Sequence, residues 1–324
     1  MEIWFRHWFI EGFYFDEVYH GPDYNVFNGN GKIMEDGTIR PSIPLMHQRE
    51  FMKRMRQLFI DHNREPFIWV HTTNYMAPYA ISFADIAMFG EDKTPVPGRD
   101  IIDTIPHLLL RSLGRAQKFG FVPVWMNQTG RGSGIGWSFY NRQAVGWFWM
   151  HDVVPEVHTS IRGYHLLVLR QKWGIDRDDV VFIPYWDNSQ YVKVDDEKFI
   201  VSIWKQPNGK SMLQIMNLHK VEDGKTEVNI TLNEKNLNLS KNYKIYDIES
   251  DERIIQMEYN LREAEKLYNE DSQKNKDRIK ELTKDLNKLY QVIEYDLKNF
   301  KIISEKNNFK ISVPCRDFKI LIIE

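Results

Sequence analysis

The chain has few of the short motifs by which enzymes are usually identified. Cys315 is the only cysteine among 324 residues, so no disulfide can form within the chain and no cysteine-based metal site is available. The histidines lack the HExxH spacing of zinc proteases. The sequence also lacks a GxSxG motif, a P-loop, and a GxGxxG motif placed between a strand and a helix. These absences argue against the commonest metal, serine-hydrolase and nucleotide sites, and we predict no cofactor.

The chain also lacks an excess of charge and a long apolar run. Lys and Arg number 43 and Asp and Glu 45, a net charge of −2, so nothing favours binding to nucleic acid or to a membrane surface. No apolar run reaches the roughly 18 residues that a membrane span needs. The first twelve residues, MEIWFRHWFIEG, have no basic start and no small-residue cleavage site. We therefore predict neither a membrane span nor a signal peptide in this chain.

Aromatic residues, in contrast, are abundant. They make up 14% of the chain and include 10 tryptophans, within a composition of 42% hydrophobic and 27% charged residues that is typical of globular proteins. The apolar faces of sugar rings stack on aromatic side chains, so exposed Trp and Tyr residues suit carbohydrate binding. Packing inside the core is the alternative role for any single tryptophan.

Short apolar segments alternate with helical patterns in the first part of the chain. Strands are predicted at residues 12–16, 67–70, 83–89 and 121–126, each followed by polar residues and then by apolar positions at helical spacing. This alternation indicates a parallel sheet with crossover helices. A complete barrel of this kind needs roughly 250 residues. Only four strands are predicted before the sequence pattern changes at residue 179, which is too few for a complete barrel. We therefore predict an α/β fold in which residues 1–178 form a partial (β/α)8 TIM-type barrel that corresponds to its C-terminal half.

The pattern changes at residue 179 to short strands separated by turns. This pattern predicts an antiparallel β-sandwich over residues 179–324. Its predicted strands are residues 179–186, 199–204, 212–217, 227–232, 243–247, 309–313 and 318–323. A segment rich in Lys, Glu and Asn at about 257–297 has a partial helical stripe and predicts a helical insertion between two strands. Its charges are typical of a solvated helix face, and a helix that binds a partner protein is the alternative.

Two adjacent acids, Asp16 and Glu17, lie at the end of the first predicted strand, GFYFD at residues 12–16. Side chains alternate along a strand, so Phe13 and Phe15 share one face, which we expect to pack under helices, and Tyr14 and Asp16 share the other. Glycosidases need one carboxyl group that gives a proton to the leaving oxygen and a second that acts as nucleophile, base or stabilising charge. Adjacent acids in different environments can divide these roles. We predict Asp16 and Glu17 as catalytic residues, with a helix N-cap or a loop salt bridge as the alternative.

Polar or aromatic residues also end the next three predicted strands. In barrels of this type the carboxyl ends of the strands surround the active site. We predict these substrate-binding residues: His71, Asn74, Tyr75, Glu91, Trp125 and Asn127. The alternative for Asn74 and Tyr75 is an Asx-turn beside a buried tyrosine. For Glu91 it is a solvated loop charge, and for Trp125 it is a place in the core. Glu91 with Asp92 is also a rival acid pair, and an unrelated α/β enzyme using Glu91 or His151 is a further possibility.

The segments GFYFDEV, REFMKR, FIWVH, SFADIAMFGE and WMHDV, in this order, resemble a group of glycoside-hydrolase-like proteins related to glycoside hydrolase family 123. The resemblance covers roughly residues 12–247 and the last strand. It implies a barrel with a β-sandwich and a β-N-acetylgalactosaminidase activity assisted by the substrate. By this resemblance Glu17 is the general acid/base, Asp16 orients the 2-acetamido group of the substrate, and Tyr75 holds the acetamido oxygen.

The chain departs from that family in its first residues. Family members have strands before the Asp-Glu strand and usually an additional sandwich domain before the barrel, and this sequence has neither. We therefore expect either a fragment of a longer protein or a second chain that completes the barrel. The expected partner is a glycan substrate, and the compartment is left open, although the parent enzyme is expected to be exported. The alternative function is a non-catalytic carbohydrate-binding or scaffold remnant of such an enzyme.

Overall fold

The structure is a computed structural model. It describes residues 10–18, 21–73, 77–91, 101–113, 120–126, 142–156, 164–284 and 295–324. The chain divides into two compact units, one formed by Met1–Thr94 with Leu108–Asn127 and the other by Pro95–His107 with Gln128–Glu324. This division does not coincide with the change of sequence pattern at residue 179, and a domain boundary at that point stays a prediction. Across the described ranges, no helix is long and apolar enough to cross a membrane.

Strands and helices alternate in the first half of the chain, and strands predominate in the second. The strands are β1 (Phe13–Phe15), β2 (Gly31–Ile33), β3 (Ile39–Pro41), β4 (Ile68–Thr73), β5 (Ile86–Phe89), β6 (Val122–Trp125), β7 (Val154–Pro155), β8 (Val181–Ile183), β9 (Val192–Val194), β10 (Phe199–Lys205), β11 (Ser211–Asn217), β12 (Glu227–Leu232), β13 (Ile245–Asp247), β14 (Lys301–Ser304), β15 (Asn308–Ser312) and β16 (Phe318–Ile323). The helices are α1 (Leu45–Asp61), α2 (Pro78–Ile81), α3 (Ile101–Thr104), α4 (His107–Leu113), α5 (Arg142–Trp149), α6 (Tyr164–Trp173), α7 (Glu234–Leu237), α8 (Glu252–Asp271) and α9 (Lys276–Thr283).

The first unit contains a parallel sheet in the order β1–β4–β5–β6. Helix α1 connects β1 to β4 and buries Met52, Met55 and Phe59 at helical spacing. The rings of Phe13 and Phe59 lie 5.7 Å apart, so the predicted helix-facing side of β1 is confirmed. The prediction of a parallel sheet with a crossover helix is confirmed as well. That these strands belong to a partial barrel stays a prediction.

A β-hairpin lies between β1 and α1, in a polar segment for which the sequence analysis predicted no strand. Strands β2 and β3 pair in antiparallel fashion between residues 31 and 41. The turn between them contains Asp36, whose Oδ1 accepts hydrogen bonds from the backbone N–H and the hydroxyl of Thr38. Gly37 follows with a φ of 81°. An Asp-Gly pair is a strong hairpin signal, but three-residue strands are too short for a clear alternation of apolar and polar positions.

The second unit contains two antiparallel sheets in the orders β14–β13–β16–β11–β10–β8 and β15–β12–β9. The two sheets share one hydrophobic cluster, to which Ile203 and Leu321 contribute from the larger sheet and Ile230 and Ile311 from the smaller. Strands β12 and β16 coincide with the predicted segments. Strands β9 and β14 were missed by the sequence analysis, because they are short and carry polar residues at one of three positions and two of four positions, respectively.

The predicted helical insertion contains two helices, α8 and α9. Helix α8 begins earlier than predicted, because the side chain of Asp251 caps it by accepting a hydrogen bond from the backbone N–H of Arg253 at 2.9 Å. Met257, Leu261 and Ala264 form its buried stripe. The remainder of the predicted insertion, at residues 285–294, lies outside the described residues.

Candidate active site

Asp16 directly follows β1, at the carboxyl end of the parallel sheet, and its side chain is 66% exposed. One oxygen, Oδ1, accepts three hydrogen bonds: from Nδ1–H of His71 at 2.9 Å, from the hydroxyl of Tyr14 at 3.1 Å and from the backbone N–H of Glu17 at 3.0 Å. The hydrogen bond from His71, together with the weaker effect of Tyr14, lowers the pKa of Asp16 below its usual 3.8 although burial opposes this. Asp16 is therefore an ionised, oriented and accessible carboxylate at neutral pH.

Glu17 adopts a left-handed backbone conformation with a φ of 48°. The chain turns sharply here, because the backbone N–H of Val18 donates to the carbonyl of His71 at 2.7 Å. A residue with a β-carbon is strained in this region, and such strain clusters at functional sites. The Glu17 side chain is exposed, and among the described residues its carboxylate has no hydrogen-bond or ion-pair partner. The two adjacent acids therefore differ: Asp16 accepts hydrogen bonds from three donors, whereas the carboxyl group of Glu17 is open to solvent.

His71 lies on β4, between β1 and β5, and its side chain is 1% exposed. Its Nε2 atom lies 3.4 Å from Oε2 of Glu91, which follows β5 and has a side chain that is 23% exposed. The ring of Tyr14 stacks beside the imidazole, with the centroids 6.5 Å apart. Neighbouring parallel strands end at the same edge of the sheet. That edge therefore brings together acids from two strands around a buried histidine from the strand between them.

Gly90 precedes Glu91 and is a point of close packing. Its φ is 94°, and a β-carbon at this position would lie 2.3 Å from Cε2 of Trp125. Trp125 itself is 1% exposed. This burial favours the alternative stated for Trp125, a core residue, over a platform on which a sugar ring stacks. The tryptophan thus contributes to the site indirectly, by packing against the residue that leads into Glu91.

We expect Gly90→Ala to lower the free energy of unfolding by about 1–3 kcal/mol more than Gly120→Ala does, because the added methyl group overpacks against Trp125. Gly120 is a matched control, since its φ is 79° and a β-carbon added there would meet no atom within 4 Å. Gly120→Ala therefore carries only the backbone strain, about 1–2 kcal/mol. Urea unfolding of both variants measures the difference. Equal destabilisation would contradict the close packing of Gly90.

The remaining predicted site residues, Asn74, Tyr75 and Asn127, lie outside the described residues, and their roles stay predictions. Where residues are described, no group of three or more His, Cys, Asp or Glu side chains is arranged to hold a metal ion. Tyr14 was not predicted as a site residue. The alternation that places it on the face of Asp16 was the available signal, and its hydroxyl does reach that carboxylate.

His151, the alternative catalytic histidine, and the adjacent Asp152 have structural contacts in the second unit. His151 is fully buried, and its Nδ1–H donates to the carbonyl of Trp147 at 2.8 Å, near the end of α5. Oδ1 of Asp152 accepts a hydrogen bond from the indole N–H of Trp204 at 3.0 Å. These contacts favour the structural role over a catalytic one.

No family model matches the sequence, and no curated protein matches it. Among solved structures, the chain is similar to α-galactosidase I from Mortierella vinacea, with 11% identity, 99% of this chain and 69% of that chain covered, and a TM-score of 0.47. It is also similar to a GH27 β-L-arabinopyranosidase from Geobacillus stearothermophilus, with 9% identity, coverages of 85% and 54%, and a TM-score of 0.43. For an α-galactosidase from Saccharomyces cerevisiae the identity is 9%, the coverages are 100% and 90%, and the TM-score is 0.36. These are similarities of chain path at low identity, and they show membership neither of family 123 nor of another family.

Proposed function

We propose that this chain is a glycoside-hydrolase-like protein that cleaves a glycosidic bond with carboxylates at the ends of parallel strands. The observation that carries the proposal is the state of Asp16, an exposed carboxylate that three donors hold through a single oxygen. An ionised carboxylate fixed in this way stabilises the positive charge that develops on the sugar ring in the transition state. Its second oxygen remains for contact with the substrate.

Glu17 is the proposed general acid/base of the reaction. Its exposed carboxyl group differs in environment from that of Asp16, and adjacent acids in different environments can divide the two roles of the reaction. The more specific form of the proposal is cleavage of an N-acetylhexosaminide in which the substrate's own acetamido oxygen attacks the anomeric carbon. In that form Asp16 orients the acetamido group, and Asn74, Tyr75 and Asn127 are proposed contacts of the sugar. A second chain or a preceding segment that completes the barrel also belongs to the proposal.

The test is hydrolysis of a panel of aryl glycosides, comprising both anomers of hexosides and N-acetylhexosaminides. We expect Glu17→Gln to lower kcat/KM by about 10²–10⁴-fold, the usual contribution of a general acid/base. Glu11→Gln, an exposed glutamate just before β1, is the matched control and should hydrolyse like the wild type. Unchanged turnover in Glu17→Gln would exclude Glu17 as the acid/base. Binding of a glycan without any turnover would favour a carbohydrate-binding remnant instead.

A further inference from the structure

The buried imidazole of His71 contacts an acid on each side, one from each neighbouring strand of the parallel sheet. Nδ1 lies 2.9 Å from Oδ1 of Asp16, and Nε2 lies 3.4 Å from Oε2 of Glu91. The ring is 1% exposed, so water does not compete for either nitrogen. Within the described part of the chain, the titratable groups that face this ring are Tyr14 and Asp16 at β1 and Glu91 after β5.

The hydrogen-bonding capacity of these groups restricts where the protons can lie. An ionised carboxylate only accepts, so the contact with Asp16 requires a proton on Nδ1. A neutral imidazole then presents a lone pair at Nε2, and this lone pair faces the oxygen of Glu91. The two atoms attract each other only when a proton lies between them, on Nε2 or on the carboxyl group. At 3.4 Å the pair does not form a hydrogen bond of normal geometry in the structure, so the contact restrains the orientation of the ring through charge and proximity.

We propose that Glu91 and His71 are positioning residues for Asp16: Glu91 orients the His71 ring, and His71 in turn holds Oδ1 of Asp16, which leaves Oδ2 to face the substrate. This inference rests on the proposed glycosidase function for the role of Asp16. Carboxylate–imidazole pairs that orient a third group are a recurring arrangement in enzymes. Here the order follows the strands of the sheet, with β5 supplying Glu91, β4 supplying His71 and β1 supplying Asp16.

The first experiment needs no activity. In the 15N-labelled full-length chain, the ring nitrogens of His71 are observed by NMR and assigned by their loss in His71→Gln. We expect a protonated Nδ1 in the wild type, and a shift of the Nε2 signal in Glu91→Gln. Glu50→Gln, a half-exposed glutamate on α1, is the matched control and should leave both signals in place. An unprotonated Nδ1 in the wild type, or an unmoved Nε2 signal in Glu91→Gln, would overturn the proposal.

The second experiment is kinetic and uses the aryl glycoside that the wild type hydrolyses best. We expect Glu91→Gln to lower kcat about 10–100-fold, as is typical when the partner of an orienting group is lost, with KM changed less than kcat. The loss should be equal for dinitrophenyl and phenyl leaving groups. A loss that grows with the poorer leaving group would mean that Glu91 itself protonates the substrate, which overturns its positioning role.

Two variants of His71 distinguish the effect of its hydrogen bond to Asp16 from the effect of its packing in the core. The side-chain amide of asparagine places a donor close to the position of Nδ1, whereas alanine offers none. His71→Asn should therefore retain more activity than His71→Ala, and equal losses would argue against the hydrogen bond to Asp16. If the wild type hydrolyses no glycoside, the proposed function fails, while the NMR experiment still decides whether Glu91, His71 and Asp16 are coupled.

Discussion

Asp16→Asn is expected to lower kcat/KM for glycoside hydrolysis by about 10²–10³-fold, the usual effect of removing one preorganised charge or dipole from an active site. Asparagine has nearly the same shape as aspartate, so the turn after β1 and its contact with Tyr14 can remain. What is lost is the negative charge, which no longer balances the positive charge of an oxocarbenium-like transition state. The measurement is kcat and KM on the same aryl glycoside panel, with Asp178→Asn, an exposed aspartate, as the matched control.

The contribution of Asp16 to the rate depends on pH, because it requires the charged carboxylate and is lost when the carboxylate is protonated at low pH. Because the hydrogen bond from His71 lowers the pKa of Asp16 below 3.8, the carboxylate keeps its charge to a lower pH than an unperturbed aspartate does. The loss of rate that protonation of Asp16 causes is therefore displaced to more acidic pH. Activity of Asp16→Asn equal to that of the control would mean that this carboxylate is not part of the reaction. It would then favour a rival acid pair or a remnant that binds glycans without cleaving them.

Arg142→Met is expected to lower the free energy of unfolding by about 3–5 kcal/mol, the typical cost of removing one partner from a buried ion pair. Arg142 begins α5, and its side chain is 5% exposed. Its Nε–H donates to Oδ1 of Asp317 at 2.8 Å, and Nη2–H donates to the carbonyl of Phe318 at 2.8 Å and to Glu249. Its guanidinium lies over the ring of Phe318, 4.1 Å from the centroid.

The carboxylates are the reason for the large expected effect. Burial by itself lowers the pKa of Arg142, but Glu249 and Asp317 more than reverse this and keep the guanidinium charged. Methionine fills a similar volume but removes the cation that Glu249 and Asp317 share. Among the described residues, Asp317 then keeps only the ion pair with Arg262, at 3.9 Å, and Glu249, whose pKa burial raises to about 7, loses its main stabilising charge. The double variant Arg142→Met with Glu249→Gln should recover part of the loss, since one of the two acids is then removed.

The measurement is urea unfolding, with Arg177→Met as the matched control. Arg177 also pairs with an aspartate, Asp179, at 2.6 Å, but both side chains are about half exposed, at 54% and 46%. Exposed ion pairs contribute little to stability, so this control should unfold almost like the wild type. Equal stabilities of Arg142→Met and Arg177→Met would contradict the buried ion-pair network.

Much of the local structure was predictable because periodicity is a property of neighbouring residues. The alternation in FYF placed Phe13 and Phe15 against α1, and their rings do lie 5.7 and 5.6 Å from those of Phe59 and Phe51. Strand β12 coincides with its predicted segment for the same reason, since every second residue is buried. The alternation of strand and helix predicted the parallel pairing of β1 with β4.

Short elements and chain boundaries were harder to predict. The hairpin β2–β3 has strands of three residues, which carry too little periodicity to separate them from a loop. The predicted sequence boundary at residue 179 marks a change from helical to strand patterns. The two compact units are divided at other positions, because the division depends on contacts between residues that are distant in the chain. The indole N–H of Trp147, for example, donates to the carbonyl of Ile105, and both residues belong to the second unit.

The sequence alone determined that Asp16 and Glu17 end an apolar strand, because strand formation and the position of the following turn depend on adjacent residues. Only the tertiary structure decided which of the many polar residues meet them. His71 is separated from Asp16 by 55 residues, and the two meet because β4 pairs with β1. Glu91 reaches the other nitrogen of His71 because β5 pairs with β4. Contacts between residues so distant in the chain depend on strand order and register, which are properties of the assembled sheet.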